Sequence, residues 1–399
     1  MNIVTINASN YGSTGRIMLA IAERARSAGH TVYTVCPDSR DNRRKDVDGQ
    51  VLIGSRISRN LHRCAARLTG LHGCFSYMAT RRLIRLMKRT STELVHLHNL
   101  HSWYLHLPTL FRFIKKHGIR VVWTLHDCWA FTGHCPYYDI AACDKWQTAC
   151  ASCPQYRLYP QSFVDNSRMM YHKKKRWFTG VKDMTLVTPS RWLADQVAES
   201  FLKTYPVRVI HNGIDRSVFR PTPSDLRERY GLENKRVLLG VAFDWGERKG
   251  LDVCIELSRR LPDDYRIVLV GTSDAVDRQL PDNILSIHRT HDRAELAAWY
   301  TTADLFINPT REDNFPTVNL ESLACGTPGI TFRTGGSPEC FDGSCGVVVE
   351  KNDIDAMERE ILRVCEERPF TAEACVAFAK RFDQNDKFIE YVDLYEDKA

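Results

Sequence analysis

Residues 3–36 read IVTINASNYGSTGRIMLAIAERARSAGHTVYTVC, and their pattern decides the architecture. IVTIN is a short run of β-branched and apolar residues, as a strand buried on both faces requires. ASNYGSTG is a glycine-rich turn, IMLAIAERARSAGH carries apolar residues at helical spacing, and TVYTVC is a second strand. Strand, glycine-rich turn, helix, strand is the unit of a parallel doubly wound sheet. The pattern recurs in ELVHLHN, TLFRFIKKHG, RVVWTLHD and MTLVTPS. A turn-rich linker follows at HNGID (211–215), with Pro221 and Pro223 just behind it. A second series then runs RVLLGVAF, LDVCIELSRRL, YRIVLVG, ILSIH, RAELAAWYTTA, DLFINP, TVNLESLAC and GITF. Two α/β series of similar size predict two Rossmann-like domains, residues 1–215 and 216–380, facing a central cleft. Ligands in such sheets sit at the carboxyl ends of the strands. A last helix, with Phe388, Val392 and Tyr395 at helical spacing, is expected to cross back to the first domain within residues 381–399.

The 399 residues are enough for two or three domains. Mean hydropathy is −0.34, and no run approaches the roughly 18 apolar residues of a membrane span. The start, MNIVTINASNYG, lacks the basic flank and apolar core of an export signal. Fibrous, disordered and integral-membrane classes are excluded, and a cytoplasmic location is expected. The net charge of +7 is unevenly placed. Between residues 49 and 92 there is no acidic residue, while Arg56, Arg59, Arg63, Arg67, Arg81, Arg82, Arg85, Lys88 and Arg89 fall there. The first four recur at helical spacing, with Ile57, Leu61 and Leu68 supplying apolar area beside them. A basic amphipathic helix of this kind suits an anionic leaflet, here the inner face of the plasma membrane, and a solvated helix face is the plain alternative. No motif that reads nucleic-acid bases is present, so nucleic acid is not an expected partner.

The chemistry concentrates in RTHDRAELAAWYTTADLFINPTREDNFPTVNLESLACGTPGI (289–330). Asp313 lies in the loop before a helix and Glu321 about one turn inside it, between Leu320 and Leu323. An ionised carboxylate only accepts hydrogen bonds, and can take two from adjacent hydroxyls. Two carboxylates flanking a helix start therefore suit a sugar or ribose. The amides near Asn314, Phe315 and Thr317 add donors and the positive end of the helix dipole, with Pro316 counted among the donor-binding residues. A capping Asp and a surface Glu are the bland reading of the same pair.

EDNFPTVNLESLACGTPGI followed by TGGSPE resembles the donor-sugar motif of the retaining GT-B glycosyltransferases of family four, especially members that assemble bacterial surface polysaccharides. The resemblance implies that Glu321 holds the donor ribose and that Asp313, a shortened carboxylate at the family's first Glu, contacts the transferred sugar. It implies that Lys249 binds the diphosphate. Where the family places an Arg five residues earlier this chain has Asp244, so Arg248 is taken as the second cation. Gly335 and Gly336 would present backbone amides to the diphosphate. Gly12, Gly15 and Arg16 resemble the first-domain loop that faces donor phosphate and acceptor, and His126 the histidine under the sugar.

The resemblance implies transfer of a hexose from a nucleotide-diphosphate sugar to a saccharide acceptor, expected to be lipid-linked, with retention of configuration. Cleavage of a sugar–diphosphate bond puts negative charge on the leaving group, which positioned cations and amides stabilise. No metal cofactor is expected for that step. Asp-x-Asp occurs at Asp46/Asp48 and Asp353/Asp355, but neither pair follows a buried strand. Rival readings are a nucleotide-sugar epimerase or hydrolase on the same fold, and a non-catalytic zinc-containing scaffold.

Five of the 14 cysteines fall within residues 128–153. Cys135-x7-Cys143-x6-Cys150-x2-Cys153 offers four thiolates for a structural zinc, with Cys128 and His134 beside them. A set of buried reduced thiols is the alternative.

Overall fold

A computed structural model describes residues 1–44 and 47–397. Asp46, one half of the first Asp-x-Asp, lies outside the described residues. The chain divides into two compact units, Met1–His211 with Lys387–Ala399, and Asn212–Asp386. The division falls inside HNGID, four residues before the boundary read from the sequence.

Unit 1 holds seven strands, β1 (Asn2–Ile6), β2 (Thr31–Pro37), β3 (Gln50–Ile53), β4 (Leu94–Leu97), β5 (Arg120–Thr124), β6 (Met184–Thr188) and β7 (Val207–Val209). They form one parallel sheet in the order β3-β2-β1-β4-β5-β6-β7, with Ile3 of β1 opposite both Val32 and Leu94. Its helices are α1 (Gly12–Ser27), α2 (Arg56–Thr69), α3 (Tyr77–Arg89), α4 (Leu107–His117), α5 (Ser167–Phe178) and α6 (Arg191–Glu199). Side chains alternate along β1, so one face of the sheet joins Val4 and Ile6 to a core with Leu83, Phe111 and Phe178. The other joins Ile3 to Ile17, Ile21, Tyr391 and Tyr395. Burial of both faces is why the strands read as continuous apolar runs.

Unit 2 holds α7 (Leu226–Arg229), β8 (Arg236–Val241), α8 (Leu251–Arg260), β9 (Tyr265–Val270), α9 (Asp274–Asp277), β10 (Ile284–Ile287), α10 (Arg293–Thr302), β11 (Leu305–Asn308), α11 (Thr317–Ala324), β12 (Gly329–Phe332), β13 (Gly346–Val349), α12 (Ile354–Glu367) and α13 (Ala372–Ala379). Its six strands are also parallel, in the order β10-β9-β8-β11-β12-β13. Two apolar layers cover the two sheet faces, one around Trp299, Tyr300 and Phe306 and one around Leu257, Leu305 and Met357.

The last helix, α14 (Gln384–Tyr395), belongs to unit 1 from Lys387 onward. Arg120 on β5 caps it, donating to the carbonyls of Tyr395 at 2.7 Å and Leu394 at 2.8 Å. The Tyr395 hydroxyl meets His96 Nδ1 at 2.7 Å. Each sheet reverses direction of strand order beside its first strand, between β1 and β4 and between β8 and β11. The carboxyl ends of those strands are where an open parallel sheet binds ligands.

Candidate functional site

In unit 2 the chain leaving β8 runs through a single 3-10 turn, Glu247–Lys249, into α8, and the chain leaving β11 runs through residues 309–316 into α11. These two loops are laced together. Arg311 N–H donates to the Arg248 carbonyl at 2.8 Å. Arg248 Nη1 donates to the Glu312 carbonyl at 3.1 Å, and Lys249 Nζ meets Asp313 Oδ2 at 2.5 Å. Arg311 fixes the whole from outside through two bonds to the Asp252 carboxylate, at 2.7 and 2.6 Å. The predicted cations and the predicted sugar-contacting carboxylate are thus neighbours, joined across 64 residues of sequence.

Gly335 shows why this place takes no side chain. Its φ is +51°, and a Cβ there would stand 1.7 Å from the Asp313 carbonyl oxygen. Any other residue would push Asp313 away from Lys249. Gly336 follows and precedes the short 3-10 turn Ser337–Cys340. In α11 no side chain caps the N-terminus at Pro316, which leaves first-turn amides for a ligand or water. Glu321 is buried, 7% exposed, on a helix whose residues from Asn319 to Ala324 are all buried. The Tyr300 hydroxyl donates to its Oε2 at 3.1 Å. Asn314 and Phe315 are buried beside it, the Phe315 carbonyl accepting from Asn212 Nδ2 at 3.4 Å. The expected surface position of Glu321 under the bland reading does not hold: it is an inward carboxylate. Asp353, by contrast, caps α12 by accepting from Ala356 N–H at 2.8 Å, which accounts for the second Asp-x-Asp.

In unit 1, α1 starts at Gly12 with no side-chain cap and no acidic residue in its first turn. Gly15 is packed against the Asn10 backbone, and Arg16 is exposed. His126 and Asp127 follow β5, as read from the sequence. His126 Nε2 lies 3.0 Å from His98 Nδ1, the two rings stacked. Burial pushes the His126 imidazolium down to about 4, so near neutral pH the ring is an uncharged hydrogen-bonding group. Asp127 accepts from Trp129 N–H at 2.9 Å and faces His101 Nε2 at 3.0 Å. His101 Nδ1 in turn meets the Tyr159 hydroxyl at 2.8 Å. The loop carrying His101 continues through Ser102 and Trp103, both at positive φ (89° and 63°), a costly backbone state that concentrates at functional sites. His98, His101, Asp127 and Trp129 line one cavity.

His98, His101, Tyr159 and Tyr300 were not picked from the sequence. HLHNLH at the end of a strand, three histidines in six residues, carries the signal for the first two. Nothing local marks Tyr159 or Tyr300.

The four cysteines Cys135, Cys143, Cys150 and Cys153 line a single small cavity together with His134 and Trp146. Among the described residues, the group of metal-competent side chains whose ligand atoms all lie within 4.8 Å of one another is Asp274, Asp277 and His288, on the surface of unit 2. The cysteine sulfurs are spread more widely than that.

On α2 the apolar residues face out: Ile57, Leu61 and Leu68 are exposed, as are Arg56 and Arg63. Arg59 and Arg67, expected on the same stripe, are half-buried with their Nε atoms enclosed. The helix packs inward through His62 and Ala66. No helix is long and apolar enough to cross a membrane among the described residues.

The chain matches two family descriptions, Glycosyltransferase Family 4 over residues 14–218 and Glycosyl transferases group 1 over residues 235–367. It is 27% identical over 281 residues to an Escherichia coli protein named for colanic acid biosynthesis glycosyl transfer, WcaC, covering 68% of each chain. The structure is similar to sucrose-phosphate synthase of Thermosynechococcus elongatus, with TM-score 0.74, 16% identity and 99% and 98% of the two chains covered. It is similar also to Anabaena HepE in complex with UDP, with TM-score 0.68, 15% identity and both chains covered in full. These structural likenesses establish the GT-B fold.

Proposed function

We propose, for a chain that belongs to glycosyltransferase family 4, transfer of a hexose from a nucleotide-diphosphate sugar to a saccharide acceptor in surface-polysaccharide assembly. The observation that carries this reading is the lacing of Lys249 and Arg248 to residues 310–313 beside the Gly335 turn. That arrangement gathers two cations, uncapped helix amides and a carboxylate at the carboxyl ends of β8 and β11, where an activated sugar needs them. The HepE complex with UDP and the name of the colanic acid relative support a nucleotide-sugar donor and a polysaccharide product.

In this mechanism Lys249 and Arg248, with the amides at Gly335 and Gly336, take up charge as the sugar–phosphate bond lengthens. Such preorganised stabilisation is commonly the largest catalytic contribution. Asp313, released from Lys249 as phosphate replaces it, accepts from a sugar hydroxyl. Glu321, oriented by Tyr300, accepts from the ribose hydroxyls. The first-turn amides of α11, including Thr317 behind Pro316, donate to the donor. In unit 1 the neutral His126 hydrogen-bonds a saccharide hydroxyl, and Gly12, Gly15 and Arg16 offer amides and a cation at the start of α1. Configuration is retained, with front-face attack and the acceptor proton passing to the departing diphosphate. No carboxylate has to act as a covalent nucleophile, and the leaving charge is met by side chains and amides, so no divalent ion is required.

The exposed Ile57, Leu61 and Leu68 beside Arg56 and Arg63 support attachment of α2 to an anionic inner leaflet, where a lipid-linked acceptor resides.

The test is incubation of the purified chain with UDP-, GDP- and ADP-sugars, with and without lipid-linked saccharides, reading nucleotide release and the anomeric configuration of the product. Transfer that needs an acceptor and retains configuration supports the proposal. Rapid nucleotide release without an acceptor, or isomerised sugar, would replace it with the hydrolase or epimerase reading. Binding of no nucleotide at all would favour a scaffold.

A further inference from the structure

Residues 133–166 contain one element of helical structure, the 3-10 turn Lys145–Gln147. Yet the segment buries Cys135, Tyr138, Trp146 and Cys150. It contains no strand, its backbone bonds being turns and single ties such as Phe163 N–H to the Arg67 carbonyl at 2.8 Å, and the side chains it turns inward are unusual. Cys135, Cys143, Cys150 and Cys153 all open onto the same cavity. All four are free of disulfides. Gly133 N–H donates to Cys150 Sγ at 3.1 Å, a bond that strengthens when the sulfur is a thiolate. The residues directly before Cys143 and Cys153, Ala142 and Ser152, hold positive φ (45° and 48°). This is a conformation that non-glycine residues seldom adopt, and here it sits beside two of the thiols.

A second observation bears on charge. Lys174 of α5 is wholly buried. Its ammonium donates to the carbonyls of Trp129 at 2.6 Å and Thr132 at 3.1 Å, and lies 3.4 Å from the centre of the Trp129 ring. It forms no ion pair among the described residues. Burial pushes its pKa down to about 7, and negative charge at Cys150, Cys135 or Asp127 would favour the ammonium. A buried cation needs a compensating anion nearby. Asp127 supplies one such charge, and four thiolates around a divalent ion would add further net negative charge.

We propose that Cys135, Cys143, Cys150 and Cys153 bind one zinc ion as a closed structural centre that organises residues 133–166. The donor set fits, since four sulfurs with no carboxylate is the composition of closed zinc sites. No three of the four sulfurs lie within 4.8 Å of one another, so binding requires them to move inward. The centre has no part in sugar transfer and stands or falls independently of that activity.

The experiment is elemental analysis of the full chain, purified under reducing conditions without chelator. About one zinc per chain is expected, released stoichiometrically when the thiols are blocked with p-hydroxymercuribenzoate, as read with a colorimetric zinc indicator. Cys150→Ser and Cys153→Ser should each cut the bound zinc at least fivefold, while Cys64→Ser, at an exposed position on α2, should leave it unchanged. Should the first two variants fail to fold, stripping zinc from the unaltered chain should lower Tm and open residues 133–166 to proteolysis, both reversed by added zinc. Fewer than one zinc per ten chains after reloading would overturn the proposal. So would a mass loss of 2 Da showing a Cys135–Cys153 disulfide in the native protein.

Discussion

Lys249 Nζ and Asp313 Oδ2 stand 2.5 Å apart, each side chain less than one-fifth exposed. The two are assigned to opposite ends of one chemical event, the cation to the departing phosphate and the carboxylate to the sugar that stays. Without donor they satisfy each other, which avoids leaving either charge bare in a partly buried site. A lysine ammonium is a compact charge on a flexible stem, so it can pivot to a phosphate without disturbing the backbone that carries Asp313.

Lys249→Ala should therefore remove a charge that acts mainly as the bond breaks. The expected loss in kcat is about 10²–10³-fold, the range for removing one positioned electrostatic group. The fall in donor affinity should be much smaller. Tm should fall as well, because the substitution leaves the Asp313 charge uncompensated in a partly buried site, so kcat is measured well below the Tm of the variant. Steady-state kinetics with a donor titration separates the two parameters. Wild-type kcat in this variant would remove Lys249 from the mechanism.

Gly335→Ala tests the same site through the backbone. The added Cβ meets a carbonyl rather than a movable side chain, and the residue needs positive φ. The loop at residues 310–313 must shift, and activity should fall at least tenfold even though no charged group is altered. A melting curve would show a loss of stability of about 1–3 kcal/mol, the cost of strained non-glycine backbone. An active Gly335→Ala enzyme would show that the Asp313 position is not critical.

Much of this was legible in the sequence, for a definable reason. The strand IVTIN, the glycine turn at Gly12 and the carboxylates Asp313 and Glu321 are local patterns, spanning one element or one loop. The wholly buried strands also declare themselves through unbroken apolar runs. Contacts across the chain left no such trace. Tyr300 reaches Glu321 from 21 residues away, and Tyr159 reaches His101 from 58. Helical spacing likewise put Arg56, Arg59, Arg63 and Arg67 on one face, but only packing against His62 and Ala66 decides that Arg59 and Arg67 turn partly inward. Lys174 was hidden for the same cause, since a lysine within the run KKKR gives no hint that it alone is buried.

Glu321→Gln preserves the shape of the side chain and a bond to Tyr300 while removing the charge. Hydrogen bonds to charged groups are worth about 1.5–3 kcal/mol, so nucleoside-diphosphate affinity should fall roughly 10–100-fold. Calorimetric titration measures it. The same titration with a 2′,3′-dideoxy nucleotide should show little difference between the two proteins. If Glu321→Gln weakens both nucleotides equally, the carboxylate does not read the ribose.

Acid sensitivity follows from the buried imidazoles. Burial lowers His126 to about 4 and His62 and His96 to about 3, against roughly 6.5 in an unfolded chain. Above pH 6.5 both states are neutral and these groups add no pH dependence. As pH falls from about 6.5 towards 4, the unfolded chain takes up protons that the folded chain refuses, and stability drops. The slope is up to about 1.4 kcal/mol per pH unit for each histidine. Melting curves from pH 8 to pH 4 should show a plateau and then a decline, and His126→Gln should make the decline shallower. A decline unchanged in that variant would mean that His126 titrates normally.

The outward apolar row of α2 leads to the last expectation. Ile57, Leu61 and Leu68 are 73%, 66% and 64% exposed. The neighbouring segment extends this patch: Phe163 N–H donates to the Arg67 carbonyl at 2.8 Å, and Phe163 itself is exposed. Apolar residues at an interface contribute by burial, and each nearby arginine adds about 1 kcal/mol on an anionic surface. The two contributions respond differently to salt, because only the charged one is screened. Vesicles containing anionic lipid should therefore sediment the protein at low ionic strength. Arg56→Ser with Arg63→Ser should weaken binding roughly tenfold or more and flatten its salt dependence. Ile57→Ser with Leu61→Ser should weaken binding at every salt concentration while leaving that dependence in place. Transfer to a soluble acceptor should survive in both pairs, since neither touches the groups assigned to the donor. Equal binding to neutral and anionic vesicles, or no loss in either pair, would make α2 an ordinary solvated surface.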